Sequence, residues 1–215
     1  MYKHPLLDRE KMTPKEALDI LLEGNGRFIN EVESEKDFKS LIHLTKNKQH
    51  PFASVLSCSD SRAPVELLFD QALGDVFSVR LAGNIASDKG IGSLEFGSKY
   101  LGAKLIVVMG HTSCGAVKAA CDDFKDGHIG EIVNMIKPAI RHEKTVEDAA
   151  LRCSKNDDFV QKVCELNVQY QIDSILRCSD ILEDMTQAKQ VGIIGAVYDI
   201  SNGKVRFMEK SAVGF

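Results

Sequence analysis

Tryptophan is missing from this chain of 215 residues, and several larger features are missing with it. No run approaches the roughly 18 consecutive apolar residues of a membrane span, so no membrane partner is expected. The opening residues Met1-Tyr2-Lys3-His4-Pro5 lack the apolar centre of a signal peptide. The expected compartment is the cytoplasm, or the periplasm if a signal peptide has been removed ahead of Met1. Neither charge sign dominates: the net charge is −4, with both signs mixed along the chain. A nucleic-acid partner would call for a clustered basic face, so none is expected. There is no internal repeat, linker or low-complexity segment. Residues 1–215 are therefore expected to form one domain, with 1–30 as an N-terminal arm and helix.

What is present is ordinary for a globular protein, with 44% hydrophobic and 27% charged residues. The six cysteines, at 58, 114, 121, 153, 164 and 178, do not cluster like the staples of a small secreted domain. Most read as thiols in a reducing compartment. Cys58 and Cys114 stand apart because of their neighbours.

Apolar spacing and turn chemistry predict strands alternating with helices. Residues 1–12 read as a polar arm. Thr13-Pro14-Lys15-Glu16 opens a helix: threonine caps, proline fits the first helical position, and Glu16 closes a capping box. Ala17, Leu18, Leu21, Phe28 and Ile29 continue it. The charged stretch 31–48 is expected on the surface. Residues 52–57 read as a buried strand, 63–69 as one or two helical turns, 76–81 as a second strand and 92–102 as a helix. Leu105-Ile106-Val107-Val108-Met109 is continuously apolar and β-branched, as central parallel strands are. Helices are expected over 116–124 and over 129–140, where Pro138 should kink or end the second. A longer helix fits Val160, Val163, Cys164, Asn167, Val168, Ile172, Ile175 and Leu176, and a short one 179–189. Residues 191–198 read as a strand, Asn202-Gly203 as a hairpin turn and 204–208 as its return. The fold class is α/β: a mainly parallel central β-sheet with helices on its faces and a C-terminal antiparallel hairpin.

Two stretches carry the chemistry: Cys58-Ser59-Asp60-Ser61-Arg62 and His111-Thr112-Ser113-Cys114-Gly115. Each follows a predicted buried strand, and open α/β sheets gather ligands outside the carboxyl ends of their strands. Two cysteines and one histidine are a usual set for a catalytic zinc that keeps its fourth position open. Water in that position can be brought to hydroxide near neutral pH. Asp60, two residues beyond Cys58, can accept a hydrogen bond from that water or ligate zinc itself. Arg62 can hold Asp60 in a bidentate grip. Taken singly, each residue has a plainer reading. Cys121, Cys164 and Cys178 suit small buried hydrophobes, Asp60 and Arg62 a structural ion pair, and Ser59, Thr112 and Ser113 helix caps. The joint occurrence at two strand ends favours the metal site. A closed structural zinc site would call for a fourth Cys or His, and a phosphate-loop cysteine for a glycine-rich cradle.

The pattern Cys-x-Asp-x-Arg, followed about fifty residues later by His-x-x-Cys, resembles the β-class carbonic anhydrases. The likeness extends through Ser57 to Pro64, Val79-Arg80, Ala82-Gly83-Asn84 and Gly110 to Gly115. It implies Zn2+ held by Cys58, His111 and Cys114, with Asp60 and Arg62 as the catalytic pair. The implied reaction is reversible hydration of carbon dioxide to bicarbonate and a proton by zinc-bound hydroxide. It also implies a homodimer or higher homo-oligomer with each active site at the subunit interface. In the plant-type branch, Gln49 would orient substrate and Phe77 would line the pocket, with backbone near Gly115 touching bicarbonate. Phe96 stands where that branch has a pocket tyrosine, Ala82 where it has a valine, and Leu81 where an asparagine is frequent. Another branch uses a tryptophan and a glycine in an inhibitory bicarbonate site. This chain has Val55 and Ser57 there, which implies weak or absent inhibition of that kind and Asp60 resting on Arg62. His4, His43, His50, His128 and His142 could relay the proton, and His50 is nearest the pocket in sequence. Alternatives are a carbon disulfide or carbonyl sulfide hydrolase on the same zinc, and a non-catalytic zinc-stabilised interaction protein.

Overall fold

The computed structural model describes residues 9–215, so most of the expected arm lies outside the described residues. The elements are α1 (Pro14–Ile29), α2 (Phe38–Thr45), β1 (Ala53–Ser57), α3 (Val65–Leu68), β2 (Val76–Arg80), α4 (Asp88–Glu95), β3 (Leu105–His111), α5 (Gly115–Cys121), α6 (Ile129–His142), α7 (Asp157–Cys178), α8 (Asp180–Gln187), β4 (Gly192–Tyr198) and β5 (Val205–Val213). The capping box forms as the sequence predicts: Glu16 N donates to Thr13 Oγ1 at 3.2 Å, and Thr13 N to Glu16 Oε2 at 2.7 Å.

Five strands form one sheet in the order β2-β1-β3-β4-β5, parallel except for the last pair. Side chains of a strand alternate between the two faces, and each face has its own cover. On one, Val55, Val107, Met109, Ile194 and Ala196 pack with Leu21, Phe52 and Phe69 from the α1 and α3 side. On the other, Leu56, Ile106, Val108 and Ile193 meet Leu94, Val168, Ile172, Ile175 and Leu182. A third cluster sits beyond the carboxyl ends of the strands, where Ile85, Val117, Val133, Ile136, Phe159 and Val163 surround Cys58 and Cys114.

Three elements differ from the sequence reading. α4 begins four residues early because Ser87 caps it, its Oγ accepting from Gly90 N at 3.3 Å, and a π-helical turn over Phe96–Tyr100 follows. Pro138 does not end α6, which runs on to His142. The proline removes one backbone donor, but Val133, Ile136 and Ala139 around it are buried and hold the helix together. β5 extends well past 208. Its ladder shifts register between Ile193 and Gly195, and there Gly195 N donates to Ser211 Oγ at 2.8 Å, which restores the missing bond.

Candidate metal centre

β1 and β3 run side by side and in parallel, with Ser57 opposite Met109. Cys58 and His111 therefore leave the sheet next to each other. β2 lies on the far side of β1, so the strand order reverses here, which is where open α/β sheets place their ligands. After His111 the chain passes through Ser113, in the left-handed region at φ 55°, and turns into α5 with Cys114 as its first flanking residue. That turn aims Cys114 back at Cys58.

One donor atom from each of Cys58, His111 and Cys114 lies within 4.8 Å of the others, and all three residues are buried. The two sulfurs are 3.9 Å apart. His111 Nδ1 faces the Thr112 carbonyl oxygen at 2.9 Å. With the proton on Nδ1 donated there, the lone pair sits on Nε2. His111 Nε2 is buried and has no hydrogen-bond partner among the described residues. A buried imidazole nitrogen without a partner is costly. Two sulfurs beside that nitrogen give it a purpose, since an S₂N donor set suits a tetrahedral zinc with one position to spare. Among the described residues this is the one such group of three found.

Without an ion, two thiols this close cannot both ionise. The Cys114 thiol, His111 and the Gly83 N–H all favour charge on Cys58 and bring it down to about 4 against the cost of burial. Cys114 is pushed up, first by its bond to Cys58 and then by burial. For His111, burial works against charge, but Cys58 outweighs it and its pKa is raised.

Asp60 and Arg62 form the bidentate grip. Arg62 Nη2 donates to Oδ2 at 2.8 Å and Nε to Oδ1 at 3.0 Å, and the Arg62 backbone N–H adds 2.9 Å to Oδ1. These bonds hold the carboxyl well below the usual carboxylate range. Asp60 Oδ2 is 3.8 Å from His111 Nε2, beside the cluster but turned toward the arginine.

The proposed pocket residues divide into two places. Ala82 opens the short turn Ala82–Asn84, whose Gly83 touches Cys58, and Gly115 starts α5. Gln49 lies ahead of β1, at the opposite end of the strand from Cys58. Phe77 pairs with Ser54, four residues or about 13 Å along the strand from Cys58. Phe96 stacks on Phe77 with ring centroids 6.3 Å apart, and Tyr100 stacks on Phe96 at 5.7 Å. His50 is half-buried beside Gln49, and His4 lies outside the described residues.

The plainer readings fare unevenly. Cys164 is buried and Cys121 half-buried, but Cys178 is exposed. Ser113 is not the cap of α5, a position taken by Cys114, while Thr112 Oγ1 accepts from Ile200 N at 3.1 Å. Arg80 and Gly83 entered the sequence reading only as part of the family likeness, without a role. Arg80 Nε and Nη2 donate to the carbonyls of Cys58 at 3.1 Å and Asp60 at 2.5 Å and so fix the first motif's backbone. The Gly83 N–H lies 3.3 Å from Cys58 Sγ, and neither contact can be read from local spacing.

A mainly parallel α/β sheet with a Cys-His-Cys cluster at its switch point is the architecture of a metalloenzyme. The carbonic anhydrase family model matches residues 53–205. A carbonic anhydrase of Mycolicibacterium smegmatis is 35% identical over 200 residues, 89% of this chain and 92% of that protein. Carbonic anhydrase 2 of Mycobacterium tuberculosis is 31% identical over 198 residues, 89% and 91% of the two chains. The β-carbonic anhydrase of Coccomyxa, solved in complex with acetazolamide, is 28% identical with a TM-score of 0.69, covering 89% of this chain and 86% of that one. The chain belongs to the β-carbonic anhydrase family, a family of enzymes.

Proposed function

We propose that this protein uses zinc to interconvert carbon dioxide and water with bicarbonate and a proton. The observation that carries this reading is the convergence of Cys58, His111 and Cys114 within 4.8 Å, with Asp60 held beside them by Arg62. Cys58, His111 and Cys114 would hold the ion. Once bound there, zinc supplies a Lewis acid that makes a nucleophile of water near neutral pH. Asp60 stays ionised on Arg62 and offers an acceptor that aims the attacking group at carbon dioxide. Because Arg62 engages both of its oxygens, Asp60 is kept from closing on the cluster. Ala82 and the backbone at Gly115 lie on the same side.

Gln49, Phe77 and Phe96 cannot reach that centre within one chain, because the length of β1 lies between them. Their roles in the pocket therefore require a second copy that lays its amino-end surface over this carboxyl end. Phe96 and Tyr100, 48% and 68% exposed, give that surface an aromatic face of the kind found at the centre of interfaces. We propose a homodimer with each site shared between subunits.

Stopped-flow hydration of carbon dioxide, with and without zinc chelation, tests the reaction. The expected result is a rate near neutral or mildly alkaline pH that disappears with zinc and returns with it; no zinc-dependent rate would sink the proposal. A Cys58→Ala protein should lose stoichiometric zinc, and one that kept it would overturn the ligand assignment.

A further inference from the structure

We propose that Asn167 and Gln171 on α7 are positioning residues of the metal centre: they clamp the Ala82–Asn84 turn so that the Gly83 N–H stays on Cys58 Sγ. This rests on the zinc reading above. The two amides are four residues apart and share one face of the helix. Both are fully buried in a stripe otherwise made of Val163, Cys164, Val168, Ile172 and Ile175. A buried amide is costly unless its hydrogen bonds are made, and these are made in one direction. Asn167 Nδ2 donates to the Gly83 carbonyl at 3.0 Å. Gln171 Nε2 donates to Asn167 Oδ1 at 2.8 Å and to the Met135 carbonyl at 3.2 Å. Gln171 Oε1 accepts from Ala86 N at 2.9 Å. The pair thus grips the backbone just after the Cys58 contact at two points, Gly83 and Ala86, and ties both to α6.

The backbone is shaped for this grip. Gly83 has φ 69°, and a Cβ there would lie 2.7 Å from Ile136 Cδ1 and 3.1 Å from Ala116 Cβ. The turn is wedged between α5 and α6 with its N–H directed at the sulfur. Gly110 does the same for α7: a Cβ on it would meet Cys164 Sγ and Val168 Cγ2, each at 2.9 Å. That close approach brings Asn167, the residue before Val168, within reach of the turn. The clamp has a chemical consequence. An N–H on a sulfur fixes its direction and stabilises the thiolate that binds a metal, which raises affinity; it also draws electron density from the sulfur and so leaves a bound metal more acidic. Groups that orient and tune metal ligands in this way typically control affinity by ten- to a hundredfold.

The test compares wild type with Asn167→Leu, Asn167→Asp and Gln171→Glu by two readouts that need no catalysis. One is zinc affinity by competition with a chelator. The other is the thiolate-to-metal charge-transfer band of the cobalt(II)-substituted protein. Asn167→Leu removes the donor to Gly83 without adding charge, and Asn167→Asp keeps the shape and the acceptor for Gln171 while an ionised carboxylate would repel the Gly83 carbonyl. The expected result is zinc affinity lowered about tenfold or more, with the cobalt band moved to longer wavelength as the sulfur loses its N–H. The pH profile of kcat/KM should move to higher pH. Folded Asn167→Leu and Asn167→Asp proteins with wild-type zinc affinity and an unmoved band overturn the proposal, even if their Tm falls, because the clamp is then packing alone. Failure of all three variants to fold also assigns a purely structural role and overturns it. If wild type binds zinc and cobalt but hydrates no carbon dioxide, the reaction is wrong while the clamp still stands or falls on affinity and band. If wild type binds neither metal, both fall together.

Discussion

The two ends of β1 are built to different standards. At the carboxyl end, Cys58, His111 and Cys114 are buried, Arg80 pins the loop backbone, and the N–H groups of Gly83 and Arg62 hold the Cys58 sulfur and the Asp60 carboxylate. Each fixed bond removes a way for the cluster to relax when charge or an ion arrives. At the amino end, Gln49 is exposed, and Phe96 and Tyr100 carry large aromatic surface into solvent. The first end is complete in one chain, since all its donors come from the same crevice. The second is an open aromatic surface, and burying an aromatic ring is worth far more than leaving it wet. Chemistry that needs fixed geometry sits where the chain alone can fix it, and the proposed second copy would bring Gln49, Phe77 and Phe96 to it.

The largest expected effect breaks the carboxyl end without touching its ligands. Asp60→Asn keeps the shape of the side chain but removes the charge that Arg62 grips and puts an NH2 donor in place of one of its two acceptor oxygens. It should lower kcat by about 10²-fold or more, as loss of a positioned proton acceptor does. Zinc content should be unchanged. An Asp60→Asn protein with wild-type kcat would remove Asp60 from the reaction.

Both motifs at the carboxyl end were legible because their spacing is local. Cys58 to Arg62 spans five residues and His111 to Cys114 four, and each follows an apolar run that could only be a buried strand. The capping box at Thr13 and Glu16 was legible for the same reason. What could not be read is tertiary. Asn167 stood in the α7 stripe as its lone amide, yet its partner Gly83 is 84 residues away in sequence. Ser211 falls beyond the strand read over 204–208, because the register shift that gives its hydroxyl a backbone partner leaves no local mark. Pro138 reads as a stop because local rules cannot count the apolar neighbours that carry α6 past it. The family resemblance supplied Gln49, Phe77 and Phe96 as pocket residues. Their distance from Cys58 appears only once β1 is laid out as a strand between them.

The next effect breaks the amino end and leaves the metal alone. Phe96→Asp puts a charge in the aromatic row formed with Phe77 and Tyr100. If a second copy covers this face, self-association should weaken by more than about thirtyfold, the size of a central aromatic anchor. Zinc content should hold while activity falls with the dimer. Sedimentation and hydration rate measured on the same samples decide it. A Phe96→Asp protein that is still dimeric and active would place the interface elsewhere, and a fully active monomer would show the site to be complete in one chain.

The smallest effect lies away from both ends of β1 and concerns how α1 is held to α3. Asp70, after α3, is buried and bound by Arg27 from α1 at 2.5 Å, by Lys36 and by Ser34. It ties α1 and the segment after it to the end of α3. Burial alone would raise its pKa, but Lys36, Arg27 and Ser34 outweigh it and bring it down to about 2. A folded pKa below the unfolded value means that the carboxylate adds stability above the unfolded pKa near 3.8 and loses it as pH falls through about 2. Arg27 is about a third exposed, so screening takes part of the full linkage, leaving ~1–2 kcal/mol. Asp70 already sits in the left-handed region at φ 48°, which asparagine tolerates well, so Asp70→Asn removes charge without adding backbone strain. In urea unfolding at pH 6 the variant should be less stable by that amount. From pH 4 downward the gap should close as the wild-type carboxyl takes up its proton. A gap that stays constant down to pH 2 would mean that shape and hydrogen bonding at Asp70, rather than its charge, hold α1 to α3.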